Sequence, residues 1–397
     1  MPFLIQIAWL IFYGWLLGAA LTLLWLARQR FLKPASEGAG GEAPRVSVLV
    51  PARNEEGRVL SECVRSILAQ DYANFEVVAV NDRSTDATGQ VLRRLALEDA
   101  RLRVLEGAEP PAGWLGKPYA LRQALEASEG EWVLSTDADM IFHPAALRTA
   151  VECARRHGSD ALTFVPHFEA LSFWERVFVP VWVWGSMLFP LDLVNHPRSP
   201  LAMGLGGFFL MRRAVLERAG GFAAVRDEVL DDMRLAAALK KAGARLRAEQ
   251  APALVRTRMY RNLAELWESA AKNWFALLGY SKAITAAMLL WVLSVTVLPA
   301  ALAAVSLVSL LAGAGGPWRE LFVPSFASWA VFVALLALVN RRAGVPVVYA
   351  LTAPLGWVLS CVVMVGSAYG VLSGRGLVWK GRRFYETGGT PPPGRGA

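Results

Sequence analysis

Four stretches of this chain, residues 4–27, 284–317, 321–340 and 345–373, carry no charged side chain. Each meets or exceeds the roughly 20 residues a helix needs to cross the hydrocarbon of a bilayer. A backbone surrounded by lipid has to satisfy its own N–H and C=O groups, so each stretch reads as a membrane-spanning helix. The apolarity is concentrated there. Over 397 residues a hydrophobic content of 55% and a mean hydropathy of +0.36 are too high for a simple soluble protein, yet the middle of the chain has the composition of a globular domain.

The first stretch has no basic residue before its apolar core, is long, and is followed by Arg28, Arg30 and Lys33. That pattern is expected of a retained anchor over residues 1–30 and not of a cleaved signal peptide. By the positive-inside rule those residues place the globular segment after them in the cytoplasm, and the protein in the inner membrane of a cell as a multi-pass protein. A net charge of +8 comes without aromatic-interleaved basic repeats or zinc-knuckle spacing. Nucleic acid is therefore not an expected partner, and anionic lipid is. Cys63, Cys153 and Cys361 are odd in number and lack CxxC spacing, which indicates neither a disulfide framework nor a zinc site.

A Gly- and Pro-rich linker over 31–44 leads into the globular segment. There the run Val46–Val50 reads as a buried strand stopped by Pro51, followed by a helical pattern over 56–70. A strand over 75–80, a helix over 85–99 and a strand over 102–105 come next. Strands alternating with helices of this length predict a parallel sheet of βαβ units. Ligands of such sheets bind beyond the carboxyl ends of the strands. Carboxylates stand at three of those ends: Glu55 after the first strand, Asp82 after the second, and Asp137 and Asp139 after the strand Trp132–Leu134. An Asp-x-Asp at a strand end offers hard oxygen ligands that can hold Mg²⁺ or Mn²⁺ against a diphosphate. This points to nucleotide-sugar chemistry at a membrane.

Between them, Trp114–Arg122 opens a helix, and Lys117 can counter a diphosphate with help from the helix dipole. The segment is no Walker loop, since Pro118 stands where Ser or Thr would be, and no Gly-x-Gly-x-x-Gly follows the first strand. Residues 172–194 are rich in aromatics but interrupted by Glu175, Arg176 and Asp192, the pattern of an interfacial segment. Gly204–Arg212 reads as a Gly-rich turn entering a strand. Asp231 and Asp232 open a helix that runs to Ala242 and ends at Gly243.

Taken together, Pro51-Ala-Arg-Asn-Glu55, Asn81-Asp-Arg-Ser-Thr-Asp86, Asp137-Ala-Asp139 and Asp231-Asp232 resemble, in order and spacing, the family-2 inverting glycosyltransferases with the GT-A fold. The resemblance covers about residues 45–275. It implies an α/β GT-A domain, Rossmann-like in binding a nucleotide sugar, inserted between transmembrane helices. It also implies that Pro51, Ala52, Arg53 and Glu55 line the nucleotide pocket and that Asp82 contacts the base. Asp139 coordinates a Mg²⁺ or Mn²⁺ ion, Asp137 orients the ribose or the metal shell, and Asp232 is the general base beside Asp231. The implied donor is UDP-linked, with UDP-glucose the default.

Where the processive members have Gln-x-x-Arg-Trp, this chain reads Ala270-Ala-Lys-Asn-Trp274, which argues against a polymerising synthase. Arg258-Met-Tyr-Arg-Asn262, Trp114-Leu-Gly-Lys117 and Val378-Trp-Lys-Gly-Arg-Arg-Phe384 look like carotenoid glycosyltransferases of the diaponeurosporenoate type and other lipid glycosyltransferases. The implied acceptor is a membrane lipid, either a carotenoid or other polyprenoid, or a hopanoid, ceramide or glycerolipid. A polysaccharide synthase and a non-catalytic assembly subunit are the rivals. After the domain, about three membrane helices are expected over 284–373 and a basic tail over 374–397. With a cytoplasmic domain, three crossings would put that tail outside, against the positive-inside rule.

Overall fold

The computed structural model describes residues 1–36 and 43–385, without the Phe384 side chain. Residues 37–42 of the expected linker and 386–397 of the expected tail lie outside the described residues. Two compact units emerge. One comprises Met1–Gln29, Glu169–Phe189 and Tyr260–Leu372; the other comprises Arg30–Phe168, Pro190–Met259 and the chain from Ser373 onward. This division differs from the linear one expected. Residues 169–189 and 260–275 group with the apolar helices, and the tail groups with the sheet.

The sheet unit is built on seven strands: β1 (Val46–Ala52), β2 (Phe75–Asn81), β3 (Leu102–Glu106), β4 (Trp132–Ser135), β6 (Ala161–Val165), β8 (Phe209–Arg212) and β9 (Leu246–Gln250). Their order is β3-β2-β1-β4-β8-β6-β9. A second, three-stranded sheet joins β5 (Met140–Phe142), β10 (Val255–Thr257) and β7 (His167–Phe168), and a hairpin of β11 (Leu377–Trp379) and β12 (Arg382–Phe384) follows the last long helix. In β1, Val46, Val48, Leu49 and Val50 are fully buried. Both faces of this strand are covered, which is why it reads as an unbroken apolar run instead of an alternating one.

The parallel βαβ sheet expected from the first strands is found, within a sheet that as a whole is mixed. β3, β2, β1 and β4 run parallel, as do β6 and β9, but β8 is antiparallel to both β4 and β6. Strand-helix alternation foretells direction only where a crossover returns the chain to the same end of the sheet. β8 is entered after the long excursion of residues 169–208, so alternation does not govern it. β1 is the switch point: the chain moves outward through β2 and β3, then returns to β4 on the other side of β1. A crevice opens at such a point beyond the carboxyl ends of the strands.

Element boundaries also differ. The expected helices over 56–70 and 85–99 are Leu60–Leu68 and Thr88–Glu98. Asn54 (φ 50°), Gly57 (φ 68°) and Arg83 (φ 53°) are left-handed, a conformation that a right-handed helix cannot contain, so the residues around them form loops. β1 runs two residues further than expected. It has no β4 neighbour beyond Leu49, so the missing N–H of Pro51 disrupts no ladder on that side.

In the other unit, Pro2–Arg28, Lys282–Leu311, Pro317–Arg342 and Val347–Leu372 are long and apolar enough to cross a membrane. The second includes a π-helical turn, Leu293–Val297, just before Pro299, as expected where a proline removes a helical donor. The aromatic segment forms a helix over Phe173–Leu188 that starts with a capping box: Ser172 Oγ accepts from Glu175 N, and Glu175 accepts from Ser172 N at 2.5 Å. The buried Glu175 charge thus serves the helix end. The Trp274 ring lies 5.3 Å from that of Trp182 within this unit, tilted by 52°.

Candidate active site

Strand ends deliver the acids. Asp82 N donates to Ala52 O at 2.8 Å, joining the end of β2 to the end of β1, and Glu55 N donates to Thr88 Oγ1 at 2.7 Å. Arg53 does not extend freely into the crevice. Its Nη1 donates to the carbonyls of Asp82 and Arg83 at 2.8 Å each and so holds the strained turn at Arg83. Ala52 is fully buried with its carbonyl taken by Asp82 N, so it lies beneath the crevice, and Pro51 is half-buried.

Asp137, Lys117, Asp231 and Asp232 come together around one glycine. Lys117 Nζ lies 2.7 Å from Asp137 Oδ1 and 3.7 Å from Asp231 Oδ2. Gly206 N donates to Asp232 Oδ2 at 2.7 Å, while Asp232 Oδ1 accepts from Met233 N at 2.7 Å. A Cβ on Gly206 would stand 2.6 Å from Lys117 Nζ and 3.1 Å from Asp137 Oδ2, and one on Gly204 would overlap the carbonyl of Asp232. The Gly-rich turn is therefore required by close packing, because it seats the start of the helix Asp231–Lys241 beside the end of β4. Thr136 Oγ1 donating to Gly207 O at 2.8 Å fixes the same contact.

Burial works to lower the Lys117 pKa, but Asp137, then Asp231 and Asp232, outweigh it and hold the ammonium well above its usual range. For Asp139, burial first and then the charges of Asp137 and Glu55 push the pKa up to about 7. Crowded carboxylates of this kind are stabilised by a cation, and a set of hard oxygen donors suits Mg²⁺ or Mn²⁺. The residues present thus fit the divalent ion expected from the sequence.

Among the described residues a different trio, Cys153, His157 and Glu249, also has ligand atoms within 4.8 Å of one another. Cysteine spacing gives no hint of it, since Glu249 comes from β9. Arg247 Nη2 sits 2.5 Å from Glu249 Oε1 and already meets its charge. His143 is exposed at the start of the helix Ala146–His157, where its Nδ1 accepts from Ala145 N at 3.1 Å.

Two residues of the closing Val378–Phe384 motif reach the site, a placement the sequence reading did not give them. Arg382, in the hairpin, donates from Nη1 to Asp82 Oδ2 at 2.6 Å and from Nη2 to Asp82 Oδ1 at 3.0 Å, and Lys380 pairs with Glu55 through Nζ and Oε1. Partners so distant along the chain leave no local signature. The sequence cues are the motif itself and Lys380-Gly381 between two short runs, the two-residue loop of a hairpin.

Comparisons with known proteins agree with this geometry. Residues 47–220 match the family described as Glycosyl transferase family 2. The beta-monoglucosyldiacylglycerol synthase of Nostoc sp. is 31% identical over 49% of this chain and 41% of its own length. An N-acetylglucosaminyltransferase of Bradyrhizobium elkanii is 39% identical over 27% of this chain and 57% of its own length. The chain thus spans less than two thirds of the length of these relatives. Among solved structures, the mannosyltransferase PcManGT from Pyrobaculum calidifontis, in complex with GDP-Man and Mn²⁺, superposes with a TM-score of 0.54 at 21% identity. That match covers 92% of this chain and 98% of that one. Residues 47–220 thus match the model of Glycosyl transferase family 2, and the sheet that carries them is a GT-A-like mixed α/β sheet.

Proposed function

We propose that this protein transfers a sugar, with inversion, from a nucleotide-sugar donor to a membrane lipid, and that it does so from the cytoplasmic face of the inner membrane. The observation that carries the reading is the convergence of Asp137, Lys117, Asp231 and Asp232 around Gly206 at the strand ends. It occurs in a chain with four helices apolar enough to cross a bilayer. Glu55, Pro51 and the Arg53-held turn line the nucleotide pocket over the buried Ala52, with Asp82 toward the base. Asp139, with Asp137, would hold Mg²⁺ or Mn²⁺, which supplies charge neutralisation for the diphosphate. Lys117 adds a fixed positive charge beside them and is kept protonated by its three acidic neighbours.

Asp232 takes the proton from the acceptor hydroxyl or carboxyl. Its two oxygens are oriented by the Gly206 and Met233 amides, so the carboxylate enters the reaction already positioned. One base of this kind is enough for a single displacement with inversion. UDP-glucose is the donor the sequence resemblance favours, and a carotenoid or other polyprenoid is the first acceptor class. A glycerolipid is the second reading, favoured by the glycolipid synthase among the relatives.

The test is a pair of assays on detergent-purified protein. Asp232→Asn is expected to keep nucleotide binding and to lose turnover on the order of a hundredfold or more. Full turnover by that variant would remove Asp232 from the role of base.

A further inference from the structure

The sheet unit receives two cations from the far end of the chain. β11 and β12 pair antiparallel, with Trp379 opposite Arg382. The loop between them is Lys380-Gly381, with φ of 46° and 76°. Both residues are left-handed, as a tight two-residue hairpin demands, but the first position suits Asn or Gly and not Lys. A lysine held there against its backbone preference calls for a reason in its side chain. Its ammonium is paired with Glu55, both side chains being nearly buried, and its carbonyl accepts from Arg53 Nε at 3.4 Å. Arg382 grips Asp82 with a bidentate fork.

A second observation comes from the other wall of the pocket. Gly116 opens the helix Gly116–Glu126 without a left-handed φ, so its conformation does not require glycine. A Cβ there would overlap the Arg382 guanidinium. Gly116 is what lets Arg382 lie between that helix start and Asp82.

The charges indicate the purpose. Glu55, Asp82, Asp137, Asp139, Asp231 and Asp232 surround the crevice and outnumber the cations native to it, Arg53, Arg58, Arg83 and Lys117. Arg53 is held by two carbonyls, Lys117 by Asp137, and Arg83 by Glu109. A divalent ion offsets part of this excess, but the two phosphates of a donor bring further negative charge. Without the hairpin the pocket would repel them.

We propose that the C-terminal hairpin completes the donor site, with Lys380 and Arg382 supplying the positive charge that lets the pocket accept a nucleoside diphosphate. This rests on the reading of the crevice as a nucleotide-sugar site. The hairpin is thus a donor-binding element, and Glu55 and Asp82 position its two cations in addition to lining the pocket.

The test measures binding of UDP and of GDP, each with Mn²⁺, to the full-length protein in detergent. Arg382→Ala, Lys380→Ala and Gly116→Ala are compared with wild type, the last of these displacing the guanidinium while leaving every charge in the chain. Each is expected to weaken binding of the preferred nucleotide about tenfold or more, as loss of a charge-assisted contact does. Arg382→Lys should recover part of the loss, and the KM for donor should rise more than kcat falls. Melting curves without nucleotide identify any variant that does not fold, and the remaining variants carry the test. Unchanged affinity would overturn the proposal, and tighter binding would also overturn it by making the hairpin a competitor of the donor. If wild type turns over donor and the folded variants bind nucleotide as wild type does, the hairpin role alone fails. If wild type binds no nucleotide, the reading of the crevice fails with it.

Discussion

Gly206 shows how much of the chemistry depends on a residue with no chemistry of its own. Its amide orients Asp232, and its bare Cα faces Lys117 and Asp137. Gly206→Ala is expected to leave the melting temperature nearly unchanged, because the flexible end of Lys117 can give way. It should lower turnover on the order of tenfold to a hundredfold, because the ammonium can no longer sit against Asp137. Comparing thermal unfolding with initial rates checks both halves, and a fully active variant would contradict the role given to the contact. The acids of this site are legible in the sequence because Glu55, Asp82, Asp137 and Asp139 follow recognisable strands and Asp231 and Asp232 open a recognisable helix. Their partners are not: nothing in the chain pattern says that Arg53 is committed to the Asp82 and Arg83 carbonyls, or that Asp137 faces Lys117.

At the scale of elements, apolar runs and helix caps survive translation into structure, and loop conformations do not. Val46–Val50 is found as the core of β1, and the helix opened by Asp231 ends before Gly243, which has φ 86° as a C-terminal stop should. The start of the helix at Leu60 is misjudged because left-handed Asn54 and Gly57 are invisible in a hydrophobic pattern. The strand expected after the Gly-rich turn is found as β8, and its antiparallel direction, set after a long excursion, is not something alternation foretells. The charge at Glu175, read as an interruption, is instead the reciprocal half of a cap. Ser172→Ala should therefore cost about 1 kcal/mol of stability, measurable as a shift in denaturation of the detergent-solubilised protein. No shift would mean the box contributes nothing.

For the whole molecule, the hairpin constrains membrane topology. Lys380 and Arg382 meet Glu55 and Asp82 in one compact unit, so the C-terminal segment lies on the same side of the bilayer as the strand ends. In the membrane protein proposed above, an even number of crossings would then separate Met259 from Ser373, where three helices are long enough to cross. On that reading one of the three would return without crossing, and the break around Pro346, where a 3₁₀ turn precedes the helix Ala353–Leu372, is a place the backbone offers for it. This arrangement puts Arg375, Lys380, Arg382 and Arg383 on the same side as Arg28 and Arg30, as the positive-inside rule asks. A fluorescent protein fused to the C-terminus should fluoresce, and alkaline phosphatase fused there should be inactive; the reverse pair would contradict the shared side.

Lipid glycosylation by this protein is tested most directly by sugar transfer itself. Purified protein is given Mn²⁺, labelled UDP-glucose and other donors, and polyprenoid or glycerolipid vesicles, with Asp232→Asn alongside. The expected result is a labelled single-sugar lipid and released nucleoside diphosphate, both dependent on the lipid and on Asp232. Label in a polymer, or equal product from Asp232→Asn, would contradict it.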